Sequence, residues 1–525
     1  MVSFRGSLSI IGPSFLAVLL CFVSVLAEAE GVSKSEMQKN NIVSIKQGLI
    51  SGLSENGVDT YLGIPYAEPP IGHLRWRPSQ DPKPWSGVRK AIEFGSACHQ
   101  IGNFYTSNNA DDFDRPYGSE DCLYLNVWVP EDIRGERPVV VFIHGGGSVH
   151  GAASLPLYNG MTLAKELNAV FVSINYRLGF YGNMSSADLR LGDPAGDSGN
   201  FAVLDQIEAL GWVQNNIGSF GGDAANVTLM GHSAGCGNIW HLMRSPLASG
   251  KFHKTFCMSG ISNDSSREDL DEAGQALLTN LLIADGLIPS KSGYKHYLET
   301  TTSDQRRDYL YSKSSLDILK ASEGVTVNPP AVDGYVITAG KNEPLVNAVA
   351  SVVGTTDDEA GLLYLGGFSK KNYAGLWELI NSDKQLERSD FFNNILDYIK
   401  FKMAVWIIDP VLLHLVDNST ELLKSSAVPV YRYHFEWKDT PEPWRSLIGS
   451  YHGIDVPFVF GNFETDTPSF TDFTWRVSGA EQRENMHSTF SKAMRGFIES
   501  TDPNKYAPQL RWSPWNSDDD DLILR

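Results

Sequence analysis

The sequence predicts an α/β protein with a large, mostly parallel central sheet and helices on both faces of that sheet. Apolar runs such as Pro138 to Ile143 (PVVVFI) are typical of strands that are covered on both sides. Residues 201–217 instead carry apolar side chains at helical spacing, every three or four positions. The two patterns alternate through the middle of the chain, which indicates successive βα units.

The predicted strands are short, apolar and rich in β-branched residues. They comprise residues 138–143, 169–174, 227–230, 255–258, 350–354 and 430–435. The segment from Asp264 to Asn328 is more polar and helix-like, and we expect it to form a helical cap over the sheet. The sequence contains no repeats and no low-complexity linker, so we expect residues 30–525 to form one domain.

The N-terminus has the features of a secretory signal peptide, predicted over residues 1–29. Arg5 precedes the apolar run Phe15 to Leu26, and the small residues Ala27 and Ala29 follow where cleavage is expected. No later run is apolar for the roughly 18 residues that a membrane span needs, so we expect a secreted protein without one. The formal net charge of −19 argues against nucleic acid and anionic membranes as partners.

Secretion changes how the five cysteines and the glycosylation sequons are interpreted. Cys21 leaves with the signal peptide, and in an oxidising compartment we expect pairing among the four cysteines that remain. Asn183, Asn263 and Asn418 each begin an Asn-X-Ser/Thr sequon and are candidate glycosylation sites. Asn226 also begins one, but it directly precedes a predicted buried strand and is the least suited.

Ser233 lies in the segment Gly-His-Ser-Ala-Gly, directly after the predicted strand at 227–230. Gly231 and Gly235 flank it, and such glycines permit the sharp turn that lifts a serine above the end of a sheet. The alternative is a small residue at a tight corner without chemistry. A nucleophilic serine also needs a base, an acid that orients the base and donors for an oxyanion.

A glycine run, His144-Gly-Gly-Gly147, follows the predicted strand at 138–143 and is a candidate source of oxyanion donors. Backbone N–H groups of glycine can approach a substrate oxygen because no side chain intervenes. A phosphate-binding loop would end in Lys and Ser or Thr, whereas Ser148 to His150 follows here. We therefore expect an oxyanion hole, to which the N–H of Ala234 also contributes.

The base must be one of twelve histidines. In this architecture the chain order is serine, acid, histidine. His452 stands in a loop after the last strong predicted strand and has the expected place. His487 lies in a helix-like run and is the weaker alternative, while His434 alternates with aromatic residues inside a strand.

The orienting acid is expected between the serine and the histidine, directly after a strand. Asp357, Asp358 and Glu359 follow the predicted strand at 350–354, and spacing alone does not choose among their carboxylates. Asp333 is a further rival. The residues by themselves therefore leave the acid open.

Taken together, these motifs resemble the type-B carboxylesterases, a family that includes cholinesterase-like enzymes. The resemblance covers nearly all of the chain after the signal peptide. Its motifs are Tyr61 to Pro70 (YLGIPYAEPP), Glu120 to Trp128 (EDCLYLNVW), Tyr176 to Gly179 (YRLG) and Phe220 to Gly235 (FGGDAANVTLMGHSAG).

Membership of this family would imply an α/β-hydrolase fold and a serine esterase acting on small-molecule carboxylic esters, which the signal peptide predicts to be secreted. It implies that Glu359 is the triad acid and His452 the base. It further implies an oxyanion hole built from Gly146, Gly147 and Ala234. No metal or organic cofactor is implied, and no His, Cys and Asp spacing in the sequence suggests a metal site.

The resemblance also implies a disulfide between Cys98 and Cys122. Cys236 begins the helix after the serine and Cys257 lies in the next predicted strand. We expect these two to be buried free thiols, because cysteines in neighbouring layers are often too far apart to bond.

Three departures from the family pattern bear on function. His232 stands where many members carry Glu, Ser148 where an aromatic residue is common, and Ala360 follows the acid where Gly is usual. None removes a catalytic group, but the first two line the expected site and leave the substrate class open. The competing interpretations are a binding or adhesion ectodomain of the same fold and an amidase or thioesterase.

Overall fold

The computed structural model describes residues 41–131, 135–382, 384–463, 469–475, 479–517 and 520–525. The predicted signal peptide lies outside the described residues. The described strands are numbered here in chain order. They are Ile42–Ile45 (β1), Gly48–Ser51 (β2), Leu53–Glu55 (β3), Val58–Pro65 (β4), Val88–Lys90 (β5), Gln100–Ile101 (β6), Pro116–Tyr117 (β7), Tyr124–Pro130 (β8), Arg137–Ile143 (β9), Val170–Ile174 (β10), Gly222–His232 (β11), Lys254–Met258 (β12), Ala350–Thr356 (β13), Val430–Phe435 (β14) and Leu522–Leu524 (β15).

The described α-helices are numbered in the same way. They are Met161–Leu167 (α1), Gly179–Gly182 (α2), Phe201–Asn216 (α3), Ala234–Met243 (α4), Arg267–Ala284 (α5), Tyr294–Thr300 (α6), Ser303–Ser312 (α7), Ser315–Ala321 (α8), Glu359–Phe368 (α9), Tyr373–Ile380 (α10), Arg388–Phe391 (α11), Ile395–Ser425 (α12), Trp444–Ile448 (α13), Asp455–Phe460 (α14) and Ala480–Ser500 (α15). The segment predicted to be a helical cap contains α5 to α8.

One large sheet organises the molecule, with strand order β3-β4-β8-β10-β9-β11-β12-β13-β14-β15. Every neighbouring pair from β10 to β15 is parallel. The three pairs at the other end, from β3 to β10, are antiparallel. The predicted mostly parallel sheet is therefore confirmed. The smaller sheets β1-β2-β5 and β6-β7 lie outside it.

Both faces of the sheet are covered, because successive side chains of a strand point to opposite sides. In β9, Val139 and Val141 belong to one hydrophobic core, which also holds side chains of α3 and α4. Val140 and Phe142 belong to a second core with side chains of α1 and α15. This two-sided burial explains why the central strands are almost continuously apolar in sequence.

Two disulfides are present, and one of them corrects a prediction. Cys98 and Cys122 are bonded, as the family resemblance implied. Cys236 and Cys257, expected to be free thiols, are bonded as well, with their Cα atoms 5.0 Å apart. The expectation of a wide gap between layers was wrong here, because α4 begins directly above the sheet at the end of β11. Its first turn therefore lies over the adjacent strand, β12, within the Cα range for a disulfide.

The three candidate sequons differ in exposure. Asn418, on α12, is solvent exposed, whereas Asn183 is buried and Asn263 is half-buried. A glycan is bulky and needs a surface position, so the fold favours Asn418, and occupancy stays a prediction. Among the described helices, none is both long enough and apolar enough to span a bilayer.

Candidate active site

Ser233 lies at a sharp turn between β11 and α4. Its backbone has φ 56° and ψ −124°, a conformation that non-glycine residues rarely adopt. Both flanking glycines are required by space: a Cβ on Gly231 would lie 2.5 Å from the carbonyl carbon of Gly235, and one on Gly235 would collide with the carbonyl of Ile143. The turn is held by the Ser233 N–H, which donates to the Met258 carbonyl at 2.8 Å. The strain predicted from the Gly-X-Ser-X-Gly pattern is present.

The glycine loop after β9 packs against this turn. A Cβ on Gly145 would lie 2.8 Å from the carbonyl oxygen of His232 and 3.0 Å from Cβ of Ser233. Gly146 and Gly147 have φ of 102° and 64°, and a Cβ on Gly146 would collide with backbone. Only glycine allows the loop to approach the serine this closely, so the predicted neighbourhood of the two motifs is confirmed.

Glu359 is the first residue of α9 and is almost fully buried, with 3% of its surface exposed. Its Oε2 accepts a 2.5 Å hydrogen bond from Nδ1 of His452. Its Oε1 accepts from the Ser259 hydroxyl at 2.7 Å and from the Thr356 N–H at 2.8 Å. Burial opposes ionisation of Glu359, but His452 and these donors outweigh it and lower its pKa.

The loops that carry Glu359 and His452 are tied together by Asp358 and Ser450. The Asp358 N–H donates to the Ser450 carbonyl at 3.1 Å, and the Ser450 N–H donates back to the Asp358 carboxylate at 2.8 Å. The Ser450 hydroxyl donates to the carbonyl of Phe435, at the end of β14. Asp358 therefore holds the histidine loop in place and does not contact the imidazole itself.

The rival residues have other partners. Asp357 lies 3.3 Å from the ring of His434, at the rim of the sheet. Asp333 accepts backbone N–H groups in its own turn, including that of Val336. Nδ1 of His487 donates to a main-chain carbonyl at 2.7 Å. None of these contacts the Glu359–His452 pair.

Ser259 and Thr356, which donate to Glu359, belong to no motif and were not predicted from the sequence. Both are polar residues at the carboxyl ends of neighbouring parallel strands, β12 and β13, where functional groups of such sheets gather. That position is a signal that sequence reasoning could have used. It becomes informative only once the two strands are known to be adjacent.

His232, the first departure from the family pattern, packs against His452 with ring centroids 4.7 Å apart. Its Nε2 is buried and unpaired within the described part of the chain. Burial, followed by the neighbouring His452, holds the pKa of His232 well below its usual value. His232 is therefore a neutral ring at neutral pH, where a Glu would place a negative charge.

Ser233, Glu359 and His452 all line one cavity of about 330 Å³. Gly147 and Ala234, two of the three residues expected to form the oxyanion hole, also line it, and Gly146 lines an adjoining smaller cavity together with Ser233 and His452. Nε2 of His452 forms no hydrogen bond to any described residue, as is common for catalytic bases before substrate binds. Within the described ranges, no three His, Cys, Asp or Glu side chains are grouped so that they could hold a metal ion.

Sheet topology and site together place the chain among the α/β-hydrolases, in which a serine on a tight turn follows a parallel strand. The chain belongs to the carboxylesterase family, whose model matches residues 39–524. It is 31% identical to the para-nitrobenzyl esterase of Bacillus subtilis (strain 168) over 519 residues, covering 92% of this chain and 94% of that one.

Other relatives agree. The liver carboxylesterase of Sus scrofa is 29% identical over 506 residues, covering 87% of this chain and 83% of the relative. A solved para-nitrobenzyl esterase structure superposes with a TM-score of 0.69 at 28% identity, covering 88% of this chain and 91% of that one. The protein is a carboxylic ester hydrolase.

Proposed function

We propose that this protein is a secreted serine carboxylesterase that acts through a Ser233–His452–Glu359 triad and an acyl-enzyme intermediate. The observation that carries the proposal is the buried His452–Glu359 pair, joined at 2.5 Å and lining the same cavity as the strained Ser233. A carboxylate bound to Nδ1 fixes the tautomer of the ring, so that the lone pair of Nε2 can accept a proton.

In the proposed reaction, Ser233 Oγ attacks the ester carbonyl while His452 Nε2 accepts the hydroxyl proton. Glu359 stabilises the imidazolium that forms and stays ionised itself. The tetrahedral intermediate collapses when the protonated His452 gives its proton to the leaving alkoxide, which departs as the alcohol. Water then attacks the acyl-enzyme with His452 again as base, and the carboxylic acid leaves.

Backbone N–H groups of Gly146, Gly147 and Ala234 are the proposed donors to the oxyanion. The close packing of the glycine loop on the nucleophile turn supports this assignment. Such donors act in a site with little water, where each one typically contributes a 10²- to 10³-fold rate enhancement, roughly 3 to 4 kcal/mol.

Secretion and domain extent belong to the same proposal. The predicted signal peptide at residues 1–29 directs the chain out of the cytosol, and the mature domain extends over residues 30–525. Two disulfides in the described chain are compatible with folding in an oxidising compartment.

A fluorophosphonate probe tests the triad directly. We expect one equivalent of probe to attach to Ser233, found by peptide mapping, and ester turnover to disappear in proportion to labelling. Attachment to a different residue with full loss of activity would contradict the assignment of the nucleophile. Absence of turnover on any activated ester would favour the competing interpretation, a binding ectodomain.

A further inference from the structure

One wall of the catalytic cavity carries polar groups that the triad does not use. Asn183, Asn238 and His241 line the cavity and are almost fully buried, with 2%, 1% and 3% of their surfaces exposed. Oδ1 of Asn183 and Nδ1 of His241 find no hydrogen-bond partner among the described residues, and the amide of Asn238 has the Tyr176 hydroxyl as a polar neighbour. Asn238 and His241 lie on α4, the helix that begins next to Ser233.

Unpaired polar atoms at this depth are unusual. A buried donor or acceptor without a partner destabilises a fold by about 1 to 3 kcal/mol, and native structures contain few of them. Two such side chains meet in one cavity, and that cavity also holds the nucleophile. Because these side chains line the cavity of the nucleophile, a bound substrate can reach them and supply hydrogen-bond partners.

The chemistry of the wall selects a hydrogen-bond donor. Nε2 of His241 is 2.9 Å from the Asn263 carbonyl, which can only accept, so Nε2 carries the proton. Burial, aided by Arg244, lowers the pKa of His241 to about 3. The ring is therefore neutral and Nδ1 is an acceptor. Asn183 Oδ1 is a second acceptor, and the amide of Asn238 lies close to the Tyr176 hydroxyl and carries both a donor and an acceptor.

A charged ligand group fits this wall less well. The nearby guanidinium of Arg244 is already bound to the Asp264 carboxylate and the Asn263 carbonyl, so it offers little to a substrate carboxylate. The carboxylate that lines the cavity belongs to Glu359, and its oxygens are occupied by His452, Ser259 and the Thr356 N–H. An ammonium group would therefore find no free counter-charge on this wall, which favours a neutral donor such as a hydroxyl.

Another part of the cavity lining is apolar. Leu363 of α9 and Leu412 and Val416 of α12 line it. His241 follows Ser233 by eight residues, or about 12 Å along the helix axis, and helical side chains point back toward the N-terminus. A group that reaches this wall is consequently attached several bonds from the ester carbonyl.

We propose, building on the esterase function above, that the preferred substrates carry an aliphatic chain with a hydroxyl group that binds Asn183, Asn238 and His241. The chain packs on the leucine and valine side. The hydroxyl donates its one proton to Nδ1 of His241 or Oδ1 of Asn183, and its oxygen accepts from the Asn238 amide. Asn183, Asn238 and His241 are then specificity-determining residues, while Ser233, His452 and Glu359 perform the chemistry on any ester.

Matched esters test the proposal. On the acyl side, the set is ethyl hexanoate, ethyl 6-hydroxyhexanoate and ethyl 6-methoxyhexanoate, of which the 6-hydroxy ester alone carries a hydrogen-bond donor. On the alcohol side, the pair is hexyl acetate and 6-hydroxyhexyl acetate. We expect kcat/KM to be about 10- to 100-fold higher for a hydroxyl ester than for its hydrogen or methoxy partner. Ratios within threefold for every pair would overturn the proposal while leaving the esterase function intact. No turnover of any of these esters or of an activated ester would instead contradict the function itself.

Variants locate the effect. Asn238→Leu keeps the volume and removes the amide, so the hydroxyl preference should fall to near one. Asn183→Leu gives a second, independent reading if Asn238→Leu does not fold. The control is Leu363→Ala on the apolar side, which should alter both esters of a pair alike and preserve their ratio. Full hydroxyl preference in a folded Asn238→Leu or Asn183→Leu variant would show that these side chains do not recognise the hydroxyl group.

Discussion

The polar groups on two sides of the same cavity differ in whether the protein supplies their hydrogen-bond partners. On the side of Glu359, both carboxylate oxygens are occupied by protein donors, and the imidazole of His452 is oriented by one of them. On the α4 side, Nδ1 of His241 and the nearby Oδ1 of Asn183 have no hydrogen-bond partner in the described chain. The groups proposed for catalysis are therefore preorganised by the protein alone. The groups proposed for recognition receive their hydrogen-bond partners from a ligand.

Removing the nucleophile is the strongest test of the preorganised side. Ser233→Ala should lower kcat by about 10⁶-fold, because loss of a triad serine leaves only binding and the oxyanion hole. The measurement is hydrolysis of an activated ester by the purified, folded variant. Activity within tenfold of the unsubstituted enzyme would mean that the strained turn has a different purpose.

Neutralising Glu359 tests whether the charge of this carboxylate is needed for catalysis. Glu359→Gln should reduce kcat by about 10⁴-fold, since the amide cannot stabilise the imidazolium or fix the same tautomer. Asp357→Asn, two residues earlier and outside the pair, is the matched control and should lie within a few-fold of the parent. An inactive Asp357 variant beside an active Glu359 variant would reverse the assignment.

The disulfide between Cys236 and Cys257 links the two sides, because it joins α4 to β12, whose end leads to Ser259. Replacing both cysteines by serine should lower the free energy of unfolding by about 3 kcal/mol, the chain-entropy value for a loop of this size. Denaturant unfolding under non-reducing conditions measures this change. If stability is unchanged, the bond contributes nothing beyond the packing around it.

Asp455 gives the catalytic side a pH-dependent stability. It is buried three residues after His452, and burial, opposed by the Tyr433 hydroxyl bond, raises its pKa to about 6. A raised carboxyl pKa means that the folded state binds more protons, so this contribution to stability is present below about pH 4 and is lost as pH rises through 6. Asp455→Asn should therefore be more stable than the parent by about 3 kcal/mol at pH 8 and equal to it near pH 4. Parallel pH–stability curves for the two proteins would contradict the raised pKa.

The smallest expected effect concerns a supporting hydroxyl. Ser259→Ala removes one of the two donors to Glu359 Oε1 and should lower kcat by about tenfold, the scale of one hydrogen bond to a charged group. Ser262→Ala is the control, because the hydroxyl of Ser262 is buried nearby without a hydrogen bond among the described residues. Equal effects of the two changes on kcat would mean that the Ser259 hydroxyl contributes no more to catalysis than the Ser262 hydroxyl.

Much of the fold could be predicted from the chain alone. The predicted strands at 138–143, 350–354 and 430–435 correspond to β9, β13 and β14 with shifts of at most two residues at an end. They could be predicted because buried parallel strands are nearly continuous apolar runs bounded by polar or glycine residues. Strands such as β3 and β15 escaped prediction, because each is three residues long, β3 is exposed and β15 is only partly buried.

The candidate site divides in the same way. Ser233 and the glycine loop were found from local pattern, since a tight turn and a close backbone approach depend on neighbouring residues. The choice of Glu359 over Asp357 and Asp358 had to come from family resemblance, and the pairing of Cys236 with Cys257 was predicted wrongly. Both depend on which strand lies beside which.

The sequence by itself determined the secondary-structure pattern, the nucleophile turn and the acidic charge, because each arises from local stereochemistry or from composition. Only the tertiary structure decided which carboxylate reaches His452, which cysteines bond and which polar side chains enter the cavity with Ser233. The bonded cysteines lie 21 positions apart in the chain, and Glu359 lies 93 positions from His452. Strand order and strand direction determine which residues meet at the carboxyl edge of the sheet. No local sequence pattern contains that information.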